Sequence, residues 1–173
     1  MNLLLRIALR YSLVAISFVF LMFFILILLD KNPVIYVSNI IFIGPMMAVF
    51  LFLSVKGFKD LNSYSLRFWQ GFTLGMIFTI SFSLLYASFL IVYGDFFDSV
   101  YFDEYRSMIS EKLMAGKELL VKQIGEDGFE AYLKARESSN KRIIGSLSFN
   151  NILIGIVVTP LMSLFMRTTE PKA

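Results

Sequence analysis

The sequence has no cysteine, no histidine and few charged residues. Without histidine, a histidine general base, an axial haem histidine and a histidine-containing zinc site are excluded. Without cysteine, disulfides, thiol nucleophiles and cysteine-held clusters are excluded as well. Charged residues make up 17% of the 173 residues, whereas soluble domains usually carry about 25%. The excess of uncharged surface must therefore face something other than water.

Apolar residues fill the sequence instead, at 57% of the chain, with 19 phenylalanines and a mean hydropathy of +0.72. Four uncharged runs of 19, 24, 27 and 24 residues cover 11–29, 32–55, 68–94 and 143–166. About 20 apolar residues in a helix rising about 1.5 Å per residue cross a bilayer core roughly 30 Å thick. The sequence therefore predicts an all-α integral membrane protein, a four-helix bundle whose single membrane domain, 1–173, has spans at about 11–29, 33–55, 68–94 and 143–166.

The first uncharged run also has one feature of a cleaved signal peptide, because Arg6 and Arg10 precede it. Its apolar run is longer than the roughly 7–15 residues of a signal h-region. The run also continues into Asp30-Lys31-Asn32-Pro33 without a small-x-small cleavage site. We therefore expect a retained first span, joined to the second by a tight turn at Asn32-Pro33.

Basic residues are distributed unequally between the two sides of the predicted spans. With the N-terminus inside, the inner segments hold seven basic and two acidic residues, a net charge of +5, and the outer segments hold nine basic and eleven acidic ones, a net charge of −2. Basic residues in short flanking segments are retained on the cytoplasmic side. The sequence therefore predicts a multi-pass protein of the bacterial inner (plasma) membrane, with both termini cytoplasmic and residues 95–142 outside.

The segment 95–142 is charged and predicts two helices, at about 103–124 and 127–139, separated by Gly125-Glu126-Asp127-Gly128. Apolar side chains of the first helix share a broad face. This helix is therefore expected either to lie on the outer membrane surface or to pack against the second helix as a solvated hairpin.

No catalytic or metal-binding pattern is visible. The chain has no phosphate-binding loop, dinucleotide fingerprint or Gly-x-Ser-x-Gly elbow, and no acidic or basic residue lies well inside a predicted span. An acidic cluster after the third span lacks the alternation and turn glycine of an EF-hand; its members are Asp95, Asp98, Asp103 and Glu104. We expect no enzyme activity, catalytic residue, cofactor or metal, and no nucleic-acid partner.

Small residues recur every four positions in the last two spans, which places them nearly on one helix face. They are Gly71, Gly75, Thr79, Ser83 and Ala87 in the third span, and Asn151, Gly155, Thr159 and Ser163 in the fourth. Small side chains let helices approach closely in membranes. The pattern predicts that the two stripes pack against each other; alternatively, one stripe faces a lipid or hydrophobic ligand, or mediates dimerisation.

The order of these features resembles the bacterial family of small membrane proteins known as Domain of Unknown Function 4199. Three segments carry the resemblance: Ala8-Leu9-Arg10-Tyr11-Ser12, Lys56-Gly57-Phe58-Lys59-Asp60, and Ser65-Leu66-Arg67-Phe68-Trp69-Gln70-Gly71-Phe72-Thr73-Leu74-Gly75. The last is similar to the family's Ser-Phe-x-x-Gly-Phe-x-x-Gly region, with Phe68 two residues later than the Ser-Phe pair would place it. The resemblance implies the four-span architecture and assigns no site residues.

Two functions from different classes fit the sequence. The first is a small accessory or interaction protein of the membrane, whose partners are the lipid bilayer and either a second copy of the chain or another membrane protein. The second is a transporter, channel or lipid-handling subunit that acts as an oligomer. The absence of charge inside the spans favours the first, and the hydroxyl groups of the third and fourth spans keep the second open.

Overall fold

The computed structural model describes residues 2–38, 40–96, 100–136 and 140–168. All seven elements in these ranges are α-helices: α1 (Leu3–Leu28), α2 (Pro33–Val37), α3 (Ile40–Leu61), α4 (Phe68–Phe96), α5 (Val100–Ala115), α6 (Lys117–Arg136) and α7 (Asn140–Met166). Four of them, α1, α3, α4 and α7, are long and apolar enough to cross a membrane. The predicted all-α fold with four membrane spans is confirmed.

The four long helices form a bundle in which α4 packs along α7 and α1, and α3 packs against the same two helices. Contacts between helix ends fix their directions. Gly57 near the end of α3 lies against Tyr11 near the start of α1, and Lys59 Nζ donates to the Met166 carbonyl at 3.0 Å. One end of the bundle, the termini end, therefore holds the start of α1, the α3–α4 connection and the end of α7. The opposite end, the loop end, holds α2 and α5.

Aromatic side chains fill much of the space between the helices. Phe78, Phe82 and Tyr86 are fully buried at successive turns of α4, with stacked rings whose centroids lie 6.2 and 6.0 Å apart. Phe23 of α1 meets Phe89 and Tyr93 of α4 edge-on, at 4.8 and 5.5 Å between centroids. Many other large apolar side chains of the same four helices are exposed. A surface of this kind fits an acyl-chain environment rather than water.

The second membrane span differs from its predicted range of 33–55, because it is α3, from Ile40 to Leu61. The residues from Pro33 to Val37 form the separate short helix α2, whose start is capped by the Asn32 side chain. Ser38, after the end of α2, forms a hydrogen bond with the Tyr86 hydroxyl at 2.7 Å. These bonds hold α2 at the loop end. At its other end α3 extends past the predicted end of the span and includes Lys59. A charged residue ends the apolar run, but it does not end the helix.

The loop helices also differ from prediction. The first predicted helix, 103–124, is divided at Gly116, between α5 and α6, where glycine has low helix propensity. The predicted break at 125–128 is present as a kink, because Gly125 has φ of 75° and ψ of 169°. Glycine adopts a positive φ without the steric penalty of other residues. Residues 137–139, at the end of the second predicted helix, lie outside the described residues.

Candidate functional site

The small-residue stripes of α4 and α7 face each other, along a contact that we call the α4–α7 seam. A Cβ atom placed on Gly75 would lie 2.5 Å from Thr159 Cγ2, and one on Gly155 would lie 2.1 Å from Thr79 Cγ2. Each glycine therefore receives a threonine of the opposite helix. Any side chain larger than hydrogen at either glycine would push the helices apart.

The seam continues in both directions from these two pairs. Toward the termini end, a Cβ atom on Gly71 would lie 3.0 Å from Ser163 Oγ. Toward the loop end, the same antiparallel register places Ser83 level with Asn151, and both are buried. Ala87, the last member of the stripe, is half-buried. The nine predicted residues therefore lie along one contact inside the chain, and their assignment to helix packing stays a prediction.

Several polar groups in the seam have no hydrogen-bond partner among the described residues. These groups are the Thr79, Ser83 and Thr159 hydroxyls and the Asn151 amide nitrogen. Ser163 differs, because its hydroxyl donates to the Thr159 carbonyl at 2.8 Å. An unpaired buried polar group costs about 1–3 kcal/mol. Since all these groups are uncharged, they can bind water or another neutral polar group.

At the loop end, α5 is attached to the bundle through Asn32. The Asn32 amide nitrogen donates to the Tyr101 carbonyl at 2.9 Å and to Glu104 Oε2 at 2.8 Å. Its side-chain oxygen accepts from the Ile35 backbone nitrogen at 3.1 Å. One side chain therefore caps α2 and holds α5. The sequence predicted a turn at Asn32 and missed the bonds to α5, whose partners lie about 70 residues away along the chain.

Two further contacts attach α5 to α4 and α7. Phe102 is fully buried, and a Cβ atom on Gly94 of α4 would lie 3.0 Å from its ring. Arg106 donates to Asp103 on its own helix and to the Asn140 side chain at the start of α7. Because α5 is held by α2, α4 and α7, its position on the bundle is fixed at several points.

Beyond α5 the chain turns at Gly116, and Lys117, at the start of α6, contacts residues later in the same helix. The Lys117 nitrogen lies 5.7 Å from the centre of the buried Phe129 ring and 3.8 Å from Glu126 Oε1. Two large apolar side chains flank the turn and are exposed: Met114 at 58% and Leu119 at 70%. We call residues 114–119 the α5–α6 corner. Exposed apolar patches outside the membrane spans mark interaction surfaces, so this corner is a candidate for one.

Two members of the acidic cluster predicted near the loop end are used in local pairing. Asp103 pairs with Arg106, and Glu104 accepts the hydrogen bond from Asn32. Asp98 and the side chain of Asp95 lie outside the described part of the chain. Within the part of the chain that the structure describes, no three histidine, cysteine, aspartate or glutamate side chains are grouped so that they could hold a metal ion.

Comparison with known proteins gives a family match that covers the seam and the loop end. A family model described as Protein of unknown function (DUF4199) matches residues 10–168. This range begins in the second turn of α1 and extends beyond the end of α7. No curated protein and no solved structure matches the chain.

Proposed function

The chain belongs to the DUF4199 family of proteins of unknown function, and from this premise we propose that it is an accessory or interaction protein of the bacterial inner membrane. Its four apolar helices make it a multi-pass membrane protein. The observation that carries the proposal is the α5–α6 corner, where Met114 and Leu119 are exposed on helices that lie outside the membrane spans. We infer that this corner binds a partner protein.

The attachment of α5 supports this inference. Bonds from Asn32 and Arg106 and the burial of Phe102 fix the start of α5 on the bundle. A surface that is ordered before binding loses less conformational entropy when a partner binds. The corner thus presents two apolar side chains beside exposed Lys117 and Glu118 at the end of an anchored helix, an arrangement that suits an interaction protein.

The distribution of charge supports an orientation with the corner outside the cytoplasm. The termini end belongs to the segments with a net charge of +5, and the segments at the loop end have a net charge of −2. Basic residues near span ends favour the cytoplasmic side. We therefore propose cytoplasmic termini and an extracytoplasmic partner.

The proposed role is non-enzymatic. The residues that the seam brings together are glycines, hydroxyls and one amide. A serine or threonine hydroxyl becomes a nucleophile only when a base activates it. The sequence has no histidine, and the long helices place no carboxylate beside these hydroxyls within their membrane-spanning parts.

A photo-crosslinking amino acid at Leu119, in the full chain in native membranes, tests the partner-binding role. We expect a discrete adduct with another protein, because Leu119 is exposed at the apolar corner. The same amino acid at Glu118, exposed on a different side of α6, is the control and should give little of that adduct. With the crosslinker moved to Met114, Leu119→Glu should abolish the adduct, since a carboxylate would have to lose its water at the interface.

Other outcomes of this crosslinking would contradict the proposal. Adducts with lipid alone would place the corner on the membrane surface. Equal protein adducts from positions 118 and 119, or an adduct that persists in the Leu119→Glu variant, would show that the apolar corner does not select a partner.

A second candidate function, as a transporter, channel or lipid-handling subunit, is favoured by the polar groups of the seam. From the Gly71–Ser163 contact to the level of Ser83 these groups extend over 12 residues, about 18 Å of helix, which is more than half of the hydrocarbon thickness of roughly 30 Å. Water or a polar solute would satisfy the unpaired hydroxyls if α4 and α7 separated. A path of this kind requires a seam that opens easily, so the effect of a substitution at Gly155 distinguishes the two functions.

A further inference from the structure

The outer, lipid-facing surface of α7 carries an amide side chain, Asn150, one turn beyond the exposed hydroxyl of Ser146. Asn150 is exposed, as are Leu153 and Val157, which lie one and two turns further along the same face. At about 1.5 Å per residue, Asn150 lies about 12 Å along the helix from Arg142 and about 25 Å from Arg167. The Asn150 amide is therefore placed well inside a hydrocarbon core roughly 30 Å thick.

The Asn150 amide has no hydrogen-bond partner among the described residues. Some exposed hydroxyls in the spans are paired within their own helix, whereas Thr73 and Ser146 are exposed without such a bond among the described residues. Ser17 donates to the Leu13 carbonyl, and Ser88 donates to the Leu84 carbonyl, each at 2.9 Å. An amide carries two N–H donors and a carbonyl acceptor, and acyl chains offer no hydrogen bond to any of them. The location of Asn150 thus indicates a polar partner from another polypeptide.

We propose that the chain forms a homodimer through this face of α7, in which the two Asn150 side chains exchange hydrogen bonds across a twofold axis. A second copy of the chain supplies the polar partner that the Asn150 amide needs. All copies have the same orientation in the membrane, so equal residues lie at equal depth. An amide is both donor and acceptor, and a twofold interface pairs residues near the axis with their own copies.

The surface next to Asn150 supports close approach of a second copy. A groove of about 360 Å³ runs between α3 and α7, and its walls are apolar; they are formed by Ile40, Gly44, Leu153, Ile154, Val157 and Val158. A Cβ atom placed on Gly44 would have its nearest side-chain neighbour 4.0 Å away, so this wall is open. Small residues of this kind allow helices of neighbouring chains to approach in membranes. The polar contact and the apolar groove lie side by side on one face.

The dimer is tested by cysteine crosslinking of the full chain in native membranes, because the sequence contains no cysteine. Leu153→Cys places a thiol one turn from Asn150. Leu84→Cys is the matched control, because the register of the seam places Leu84 at the depth of Asn150 on the lipid-facing side of α4, where it is 64% exposed. On oxidation with copper phenanthroline, we expect Leu153→Cys to give a disulfide-linked dimer and Leu84→Cys to remain monomeric.

Adding Asn150→Leu to the Leu153→Cys chain should lower the dimer association constant roughly tenfold, for the loss of two interhelical hydrogen bonds. Asn150→Gln, which keeps the amide, should restore part of the crosslinking. Because Asn150 is exposed, neither change should affect folding of the monomer, and thermal stability of the monomer in detergent checks this.

Equal crosslinking of Leu153→Cys and Leu84→Cys would overturn the proposal, as would an Asn150→Leu chain that crosslinks as before. An adduct with a different protein would overturn the assignment to a second copy.

Discussion

Replacing Gly155 with alanine is expected to destabilise the bundle, whereas replacing Gly145 with alanine, on the same helix, is not. The added Cβ at position 155 would lie 2.1, 2.2 and 2.7 Å from Thr79 Cγ2, Oγ1 and Cβ. Because both branches of Thr79 and its Cβ atom are too close, no rotation of that side chain removes the overlap. The helices α4 and α7 must move apart, which should cost about 1–3 kcal/mol, the usual effect of overpacking a core.

Gly145 provides the matched control, because no atom lies within 4 Å of a Cβ placed there. Gly145→Ala should be neutral or gain up to about 1 kcal/mol from the better helix propensity of alanine. The two substitutions therefore differ in sign, and thermal or SDS-induced unfolding in a mild detergent measures both. Replacing Thr79 with glycine in the Gly155→Ala chain should recover part of the loss, because it removes all the overlapping atoms.

Equal stability of the Gly155→Ala and Gly145→Ala chains would mean that α4 and α7 separate at little cost. The nine stripe residues would then line a contact that opens easily. In that case the transporter, channel or lipid-handling function would replace the accessory function as the better account of the seam.

Replacing Phe102 with alanine is expected to release α5 from the loop end of the bundle. Phe102 is fully buried and packs against the backbone of α4 at Gly94. Truncating a buried phenylalanine typically costs about 3–5 kcal/mol. We expect the loss to appear as local opening of α5 and α6, because the four long helices keep their own contacts.

Protease treatment from the extracytoplasmic side measures this opening. If opening is fast relative to cleavage, the cleavage rate follows the population of the open form, so Phe102→Ala should be cut on the order of 100-fold faster or more. Met114→Ala is the control on the same helix, because Met114 is 58% exposed and its removal leaves no cavity. Equal cleavage of the two variants would show that Phe102 does not anchor α5.

Much of the fold was predictable because it depends on local properties. A charged group in hydrocarbon is so unfavourable that the uncharged runs alone indicate the number of spans. The spacing of Gly75 and Thr79 on α4, and of Gly155 and Thr159 on α7, likewise places small residues on one face of each helix without knowledge of the partner. The helices α4 and α7 are antiparallel neighbours with complementary faces, so their two stripes meet.

Other features depend on partners distant in the sequence and could not be predicted. The separation of α2 from α3 accompanies bonds from Asn32 to α5 and from Ser38 to Tyr86. The sequence also shows Asn150 and Asn151 as equivalent neighbours, but a helix turns about 100° per residue. The structure places Asn151 inside the seam and Asn150 on the lipid-facing surface, so only the packing reveals their different surroundings.

Partner binding outside the cytoplasm requires that α5 and α6 lie on the opposite side of the membrane from the α3–α4 connection. Ser65 in that connection and Ser107 on α5 are both exposed, and each can be replaced by cysteine in a chain that has none. On intact spheroplasts, a membrane-impermeant thiol reagent should label Ser107→Cys at once and Ser65→Cys only after the membrane is permeabilised. Labelling of Ser65→Cys on intact spheroplasts, with Ser107→Cys protected until permeabilisation, would place α5 and α6 in the cytoplasm and contradict the account.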